Sequence, residues 1–184
     1  MSGSAQLITT LLAYATALGQ LGIVIMILVL VAWKTAWARK IIALITRFAR
    51  WLGLGIALSG VALSLYYSNI VGFEPCLLCW WQRIFLYPQL ILFAGALWLK
   101  DRLHVYWYSL ALSVLGLATA LYHVQVQFTG HGAGCGSQGV SCAKRLVFEL
   151  GYISMPVMSA TAFGLVIVVI LAALTQRKIE KQTQ

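Results

Sequence analysis

Five long apolar runs decide what this chain can become. They lie at about Leu7–Ala32, Trp51–Ser68, Trp80–Leu99, Val105–Phe128 and Pro156–Leu174. A helix needs about 20 mostly apolar residues to cross a hydrocarbon layer of about 30 Å. Backbone groups in lipid must bond within their own element, so runs of this length are spanning helices. The runs use more than half of the 184 residues, and only 9% of the chain is charged. No separate soluble domain fits. The expected architecture is an all-α membrane protein, a compact helical bundle of five spans. The first transmembrane helix and a basic interfacial segment fill 1–50, and a cytoplasmic tail fills 175–184. The first run lacks a basic leader and is too long for a signal-peptide core, so it reads as a span.

The net charge of +9 does not point to nucleic acid, because the cations flank the membrane. Ten of the thirteen lie on one side: Lys34, Arg39, Lys40, Arg47 and Arg50 after the first span, Lys100 and Arg102 after the third, and Arg177, Lys178 and Lys181 in the tail. Lys144 and Arg145 lie on the other side, with Arg83 near its border. The positive-inside rule places the ten in the cytoplasm, the N-terminus outside and the C-terminus inside. In residues 33–50, Trp33, Trp37, Ile41, Leu44 and Phe48 recur at helical spacing, with Lys40 and Arg47 on another face. That pattern predicts a helix lying in the cytoplasmic interface, its cations near anionic lipid head groups.

This orientation puts all four cysteines outside, where disulfides form and persist. Cys76 and Cys79 open the third span, and Cys135 and Cys142 lie between the fourth and fifth. Pro75 suits a helix start. Both thiols of the C-x-x-C pair then sit in the first turns, where free N–H groups and the helix dipole favour a thiolate. Cysteines three apart share a helix face and can form a disulfide. Arg83 follows Cys79 by one turn. An arginine at that depth is costly unless paired or snorkelling; here it can stabilise a Cys79 thiolate or donate to an acceptor's oxygen. Trp80, Trp81, Phe85 and Tyr87 read as interfacial aromatic residues, and Pro88 predicts a kink.

The second cysteine loop carries five glycines between Gly130 and Gly139, which predicts a flexible segment around Cys135. A short surface helix is expected over Lys144–Ile153, where Leu146, Val147, Leu150 and Ile153 could share one face. Ser154 before Pro156 marks the start of the last span. Gly53 and Ala57, Gly60 and Ser64, and Gly116 and Ala120 have the small-xxx-small spacing of close helix packing. His104 and His123 read as interfacial or hydrogen-bonded residues. His131, just before Cys135, is a candidate aid to thiolate formation.

The run Pro75-Cys76-x-x-Cys79-x-x-Gln82-Arg83, followed by a cysteine pair in the next outer loop, resembles the DsbB/BdbC disulfide bond formation proteins over residues 51–174. The resemblance implies a four-helix transmembrane bundle over residues 51–174, to which the N-terminal transmembrane helix is an addition, and a membrane thiol oxidase of the bacterial cytoplasmic (inner) membrane. A thioredoxin-fold, DsbA-like partner would deliver two electrons as a dithiol. These would pass through Cys135 and Cys142, then Cys76 and Cys79, to a membrane quinone, either ubiquinone or menaquinone. By motif position Cys79 and Arg83 would meet the quinone, Cys76 would exchange with Cys142, and Cys135 would form the mixed disulfide. The short C-x6-C spacing leaves the roles of Cys135 and Cys142 exchangeable. Three other readings use the same cysteines. They are a vitamin K epoxide reductase-like enzyme, whose loop cysteines would precede the C-x-x-C pair, a four-cysteine zinc site, and a scaffold with structural disulfides.

Overall fold

The computed structural model describes residues 3–98, 103–130 and 141–183. Five helices carry the fold: α1 (Gly3–Val31), α2 (Ala36–Leu65), α3 (Leu77–Trp98), α4 (Leu103–Thr129) and α5 (Met155–Thr183). All five are long and apolar enough to span a membrane. Helices α2, α3, α4 and α5 close a ring in which each packs on the next and α5 returns to α2. Helix α1 stands outside the ring, mainly against α5. The five spans expected from the apolar runs are observed, in the four-plus-one arrangement that the family resemblance implies.

Small residues set the packing. Gly53 and Ala57 lie in a buried stripe of α2, and any Cβ at Gly53 would collide with the ring of Phe93 on α3. Gly116 on α4 holds the ring of Phe163 on α5 in the same way. Both phenylalanines are fully buried. Without water to drive association, close van der Waals contact of this kind holds helices together in lipid. A polar clamp adds to it: the Gln89 amide donates to Ser113 Oγ at 2.7 Å, and the Ser109 hydroxyl donates to Gln89 Oε1. All three residues are buried, so α3 and α4 satisfy each other's polar groups. Large apolar side chains such as Leu18, Ile91 and Leu115 face outward, as lipid permits.

Two local expectations are corrected. The basic segment 33–50 is not a separate interfacial helix. After a tight turn, in which the Thr35 N–H bonds the Ala32 carbonyl at 2.9 Å, α2 runs unbroken from Ala36 into the second span. No glycine or proline interrupts it before Gly53. Its packed stripe is Ala38, Ile42 and Ala49, while Trp37, Leu44 and Phe48 stay exposed. The periodic aromatic face is thus the outward face of a spanning helix. The second correction concerns Lys144–Ile153, which forms no helix. The segment folds back on itself through Leu150 (φ 51°) and Gly151 (φ 77°), and Glu149 pairs with Ile153 in an isolated antiparallel bridge. Left-handed φ values at two successive residues exclude a helix there.

The ends of the bundle differ in chemistry. At one end Lys178 Nζ lies 5.4 Å from the Trp33 ring centre, and Arg50 Nη1 donates to the Ala96 carbonyl near the C-terminus of α3 at 3.1 Å. The C-x-x-C pair opens α3 at the other end. There α2 finishes in a π-helical turn, Tyr66–Ile70. Gly72 (φ 79°) then reverses the chain, and the Phe73 N–H bonds back to the Tyr67 carbonyl at 2.9 Å. Phe73 stacks on Tyr67. This reversal delivers Glu74, Pro75 and Cys76 to the mouth of α3.

Candidate active site

Cys76 caps α3: its carbonyl accepts the Trp80 N–H at 3.1 Å. Its side chain therefore sits at the helix N-terminus, where unpaired N–H groups favour negative charge. Cys79 is one turn into the helix, and the two Sγ atoms lie 3.0 Å apart as free thiols. The Cys79 thiol donates to Cys76 Sγ, and this outweighs the opposing effect of burial. With a smaller pull from His123, it brings Cys76 down to about 4. This environment favours the thiolate at Cys76, the form that attacks disulfides.

His123 of α4 links this pair to the next. Its Nε2 lies 3.8 Å from Cys76 Sγ and 3.1 Å from the Cys142 carbonyl oxygen. The Gln82 amide nitrogen lies 3.0 Å from Nδ1. An amide N–H donated to Nδ1 leaves the proton of a neutral ring on Nε2, aimed at the Cys142 carbonyl and Cys76. Cys76, Cys142, Leu78 and Val126 form one buried cluster against which Cys79 packs. Cys142 is disulfide-bonded. Cys135 and His131 lie outside the described residues.

Arg83 does not snorkel freely. Its Nε donates to Ser64 Oγ at 2.8 Å and an Nη2 proton goes to the Ser64 carbonyl at 3.1 Å. The Tyr87 hydroxyl joins Ser64 Oγ at 3.4 Å, and the guanidinium lies over Trp80, 5.1 Å from its centre. Ser64, expected only to ease helix packing, is thus the anchor of the arginine.

Two spaces meet at Cys79. A cavity of about 380 Å³ is lined by Cys79, Arg83, Gln82, Ser64, Tyr67 and Glu74 together with mostly apolar stretches of α1, α2 and α5. A crevice of about 20 Å³ is lined by Cys76, Cys79, His123 and Cys142. Cys79 borders both. Cys76 and Cys142 border only the crevice. One thiol of the C-x-x-C pair therefore faces an apolar cavity and the other faces the second cysteine segment.

Residues 46–173 match the family model described as Disulfide bond formation protein DsbB. The chain belongs to the DsbB family. Its similarity extends to the SPbeta prophage-derived disulfide bond formation protein B of Bacillus subtilis, 42% identical over 127 residues, covering 68% of this chain and 84% of that protein. A probable disulfide formation protein C of Halalkalibacterium halodurans is 39% identical over 117 residues, 61% of this chain and 82% of the relative. A probable disulfide formation protein of Chlamydia trachomatis is 42% identical over 106 residues, 56% of this chain and 76% of the relative. No solved structure matches. Membership in the DsbB family makes the chain a multi-pass membrane thiol–disulfide oxidoreductase. It replaces the vitamin K epoxide reductase-like and passive-scaffold readings. The four-cysteine zinc set is not assembled either, because Cys142 is in a disulfide.

Sequence reasoning left His123 and Gln82 without a chemical role. Gln82 falls within the motif, but its neighbour in space is 41 positions away. His123 lies inside a span, where a lone histidine reads as a satisfied core residue. His104, at the start of α4, is exposed and distant in sequence from every cysteine.

Proposed function

We propose that this protein reoxidises a thioredoxin-fold, DsbA-like dithiol outside the cytoplasm and passes the electrons to a membrane quinone. The observation that carries the reading is the position of Cys79, which borders both the apolar cavity and the crevice holding Cys76 and Cys142. The cavity suits the acceptor. Its exposed wall area is mostly apolar, and among the polar groups that line it Arg83, Ser64 and Tyr67 are the kind that hold a ring carbonyl. Ser64 engages Arg83 Nε and Nη2, which leaves Nη1 for an acceptor oxygen.

The steps balance. The partner's two thiols become a disulfide as the Cys135–Cys142 bond is reduced. The loop thiols then reduce a Cys76–Cys79 disulfide, with Cys142 exchanging with Cys76. Finally the Cys76 and Cys79 thiols close to a disulfide and release two electrons and two protons. A quinone held in the cavity by Arg83 would take up both pairs to become quinol. Within this sequence Cys76 supplies the thiolate, Cys79 faces the acceptor, Arg83 orients it, and His123 holds a proton between Cys76 and the Cys142 carbonyl. The ten-to-three split of cations supports an orientation with the cysteine end outside.

The test is quinone reduction by the purified protein with a reduced thioredoxin-like oxidase as donor. Quinol should form in step with partner disulfide. Offered the oxidised partner, Cys142→Ser should hold it on Cys135 as a mixed disulfide, visible on a non-reducing gel, because the Cys135 thiol opens the partner's disulfide and the second loop thiol that would displace it is gone. Partner oxidation that proceeds at full rate without any quinone would defeat the reading.

A further inference from the structure

The family match begins at residue 46, so α1 lies wholly outside it. Nevertheless Leu12, Ala15 and Thr16 of α1 line the same cavity as Cys79 and Arg83. The helix is held there in register. Near the cysteine end Thr9 Oγ1 and Tyr67 OH lie 2.9 Å apart, and both residues are buried. Lower down, the Gln20 amide donates to Thr161 Oγ1 at 3.2 Å and accepts from the Tyr152 hydroxyl at 2.7 Å. Gly19 lies against Thr161 and Leu165, and Gly164 against Ile23. Tyr67 and Thr161 are themselves cavity residues. The bonds that dock α1 are therefore made at the rim of the cavity.

The packing explains why space is left there. Helix α1 rests on α5 along its length and meets α2 chiefly near the turn that joins them, around Val29, Ala38 and Ile42. Toward the cysteine end α1 and α2 diverge, and the Thr9–Tyr67 bond crosses the gap. The cavity fills the divergence, with Ile56, Ser59, Gly60 and Leu63 on the α2 side. Its walls are unlike. Arg83 and Cys79 on α3, Ser64 on α2, Glu74 just before α3, and Ser159 and Thr161 on α5 supply polar groups. On α1 the Thr16 hydroxyl is turned back to the Leu12 carbonyl at 2.7 Å, so that wall offers no free donor.

We propose that α1 is the apolar wall of the acceptor pocket, and that Leu12, Ala15 and Thr16 set which quinone ring fits there. The proposal rests on the quinone reading above and adds the part of the pocket that the four-helix ring lacks. A ring held through one oxygen by Arg83 turns its far edge toward α1, where ring substituents or a fused second ring must be accommodated. A pocket wall discriminates such groups by shape.

The experiment measures steady-state reduction of a short-chain benzoquinone and a short-chain naphthoquinone by the full-length protein. Thr16→Phe should raise the KM for the naphthoquinone by about tenfold or more, and that for the benzoquinone by less. Leu12→Ala should shift the ratio of the two KM values the other way. Dithiol exchange at the loop cysteines should be unchanged in both variants, which shows that they are folded. Wild-type protein irradiated with an azido-quinone should carry label on the peptide containing Leu12–Thr16, a readout that needs no variant. Arg83→Ala is the control for the acceptor reading itself. If it raises KM while both α1 variants keep each KM within about twofold of wild type, or if the label falls only on α2, α3 and α5, the α1 wall is overturned and the quinone reading stands. If Arg83→Ala is equally silent and no peptide is labelled, both fall together.

Discussion

His123 Nε2 lies 3.8 Å from Cys76 Sγ and 3.1 Å from the Cys142 carbonyl oxygen, so one imidazole touches both cysteine segments. Replacing it with phenylalanine keeps the ring volume and removes the N–H. Transfer between the two pairs should slow by about tenfold, the effect expected for loss of one positioned proton donor in a buried site. Single-turnover oxidation of the loop thiols, followed after rapid mixing, measures this step. Equal rates in His123→Phe and wild type would reduce the histidine to a packing residue.

The pH dependence of Cys76 follows from its environment. Its pKa is lowered to about 4, chiefly by the hydrogen bond from Cys79. A depressed value means that the thiolate is present above about pH 4 and is lost only as the pH falls through that point. Alkylation of reduced protein by iodoacetamide at Cys76 should stay near its plateau from about pH 8 to about pH 5. Cys79→Ala removes the largest cause and should move the profile up toward the ordinary thiol value of about 8.5. His123→Phe should move it in the same direction by less. A profile unmoved by Cys79→Ala would contradict the assigned cause.

Ser64 and Arg83 should behave as one unit toward the acceptor. Arg83→Ala should raise the KM for quinone while leaving partner exchange intact, and Arg83→Lys should recover only part, because the planar fork of donors is lost. Ser64→Ala removes the acceptor for Nε but leaves the backbone carbonyl that binds Nη2. Its effect should be about tenfold or less, in keeping with one hydrogen bond of about 1 kcal/mol. A larger defect in Ser64→Ala than in Arg83→Ala would mean that the serine acts on its own.

Gly116→Ala tests the packing. The added methyl group would enter the ring of Phe163, and overpacking of this kind costs about 1–3 kcal/mol. The Tm in detergent should fall, and Phe163→Leu in the same chain should restore part of the loss. Unchanged thermal stability in Gly116→Ala would show that the two helices can separate there without cost.

Orientation has a direct check. A membrane-impermeant thiol reagent, applied to intact cells after reduction, should reach the cysteine end. Labelling that requires broken membranes would reverse the proposed topology and remove the proposed function with it.

Several features were legible in the residues alone, for a physical reason. Lipid forces each run of about 20 apolar residues into a helix whatever its neighbours do, so the five spans and the all-α architecture depend only on local composition. The C-x-x-C pair and Arg83 fall on successive turns of one helix, so their proximity is also local. Tertiary structure decided the rest, because it depends on which helices face one another. Nothing in the periodicity of residues 33–50 distinguishes a lipid-facing stripe from an interfacial one; the packing of Ala38, Ile42 and Ala49 makes that choice. The paired φ values of Leu150 and Gly151 override an apolar pattern that reads as a helix. Ser64 becomes the anchor of Arg83 only because α2 lies beside α3. His123 joins Cys76 to Cys142 across 47 and 19 positions of sequence, and α1 reaches the cavity only because it docks on α5 and diverges from α2. Contacts between separate helices leave no mark at any fixed spacing along the chain, so these relationships exist only in the folded bundle.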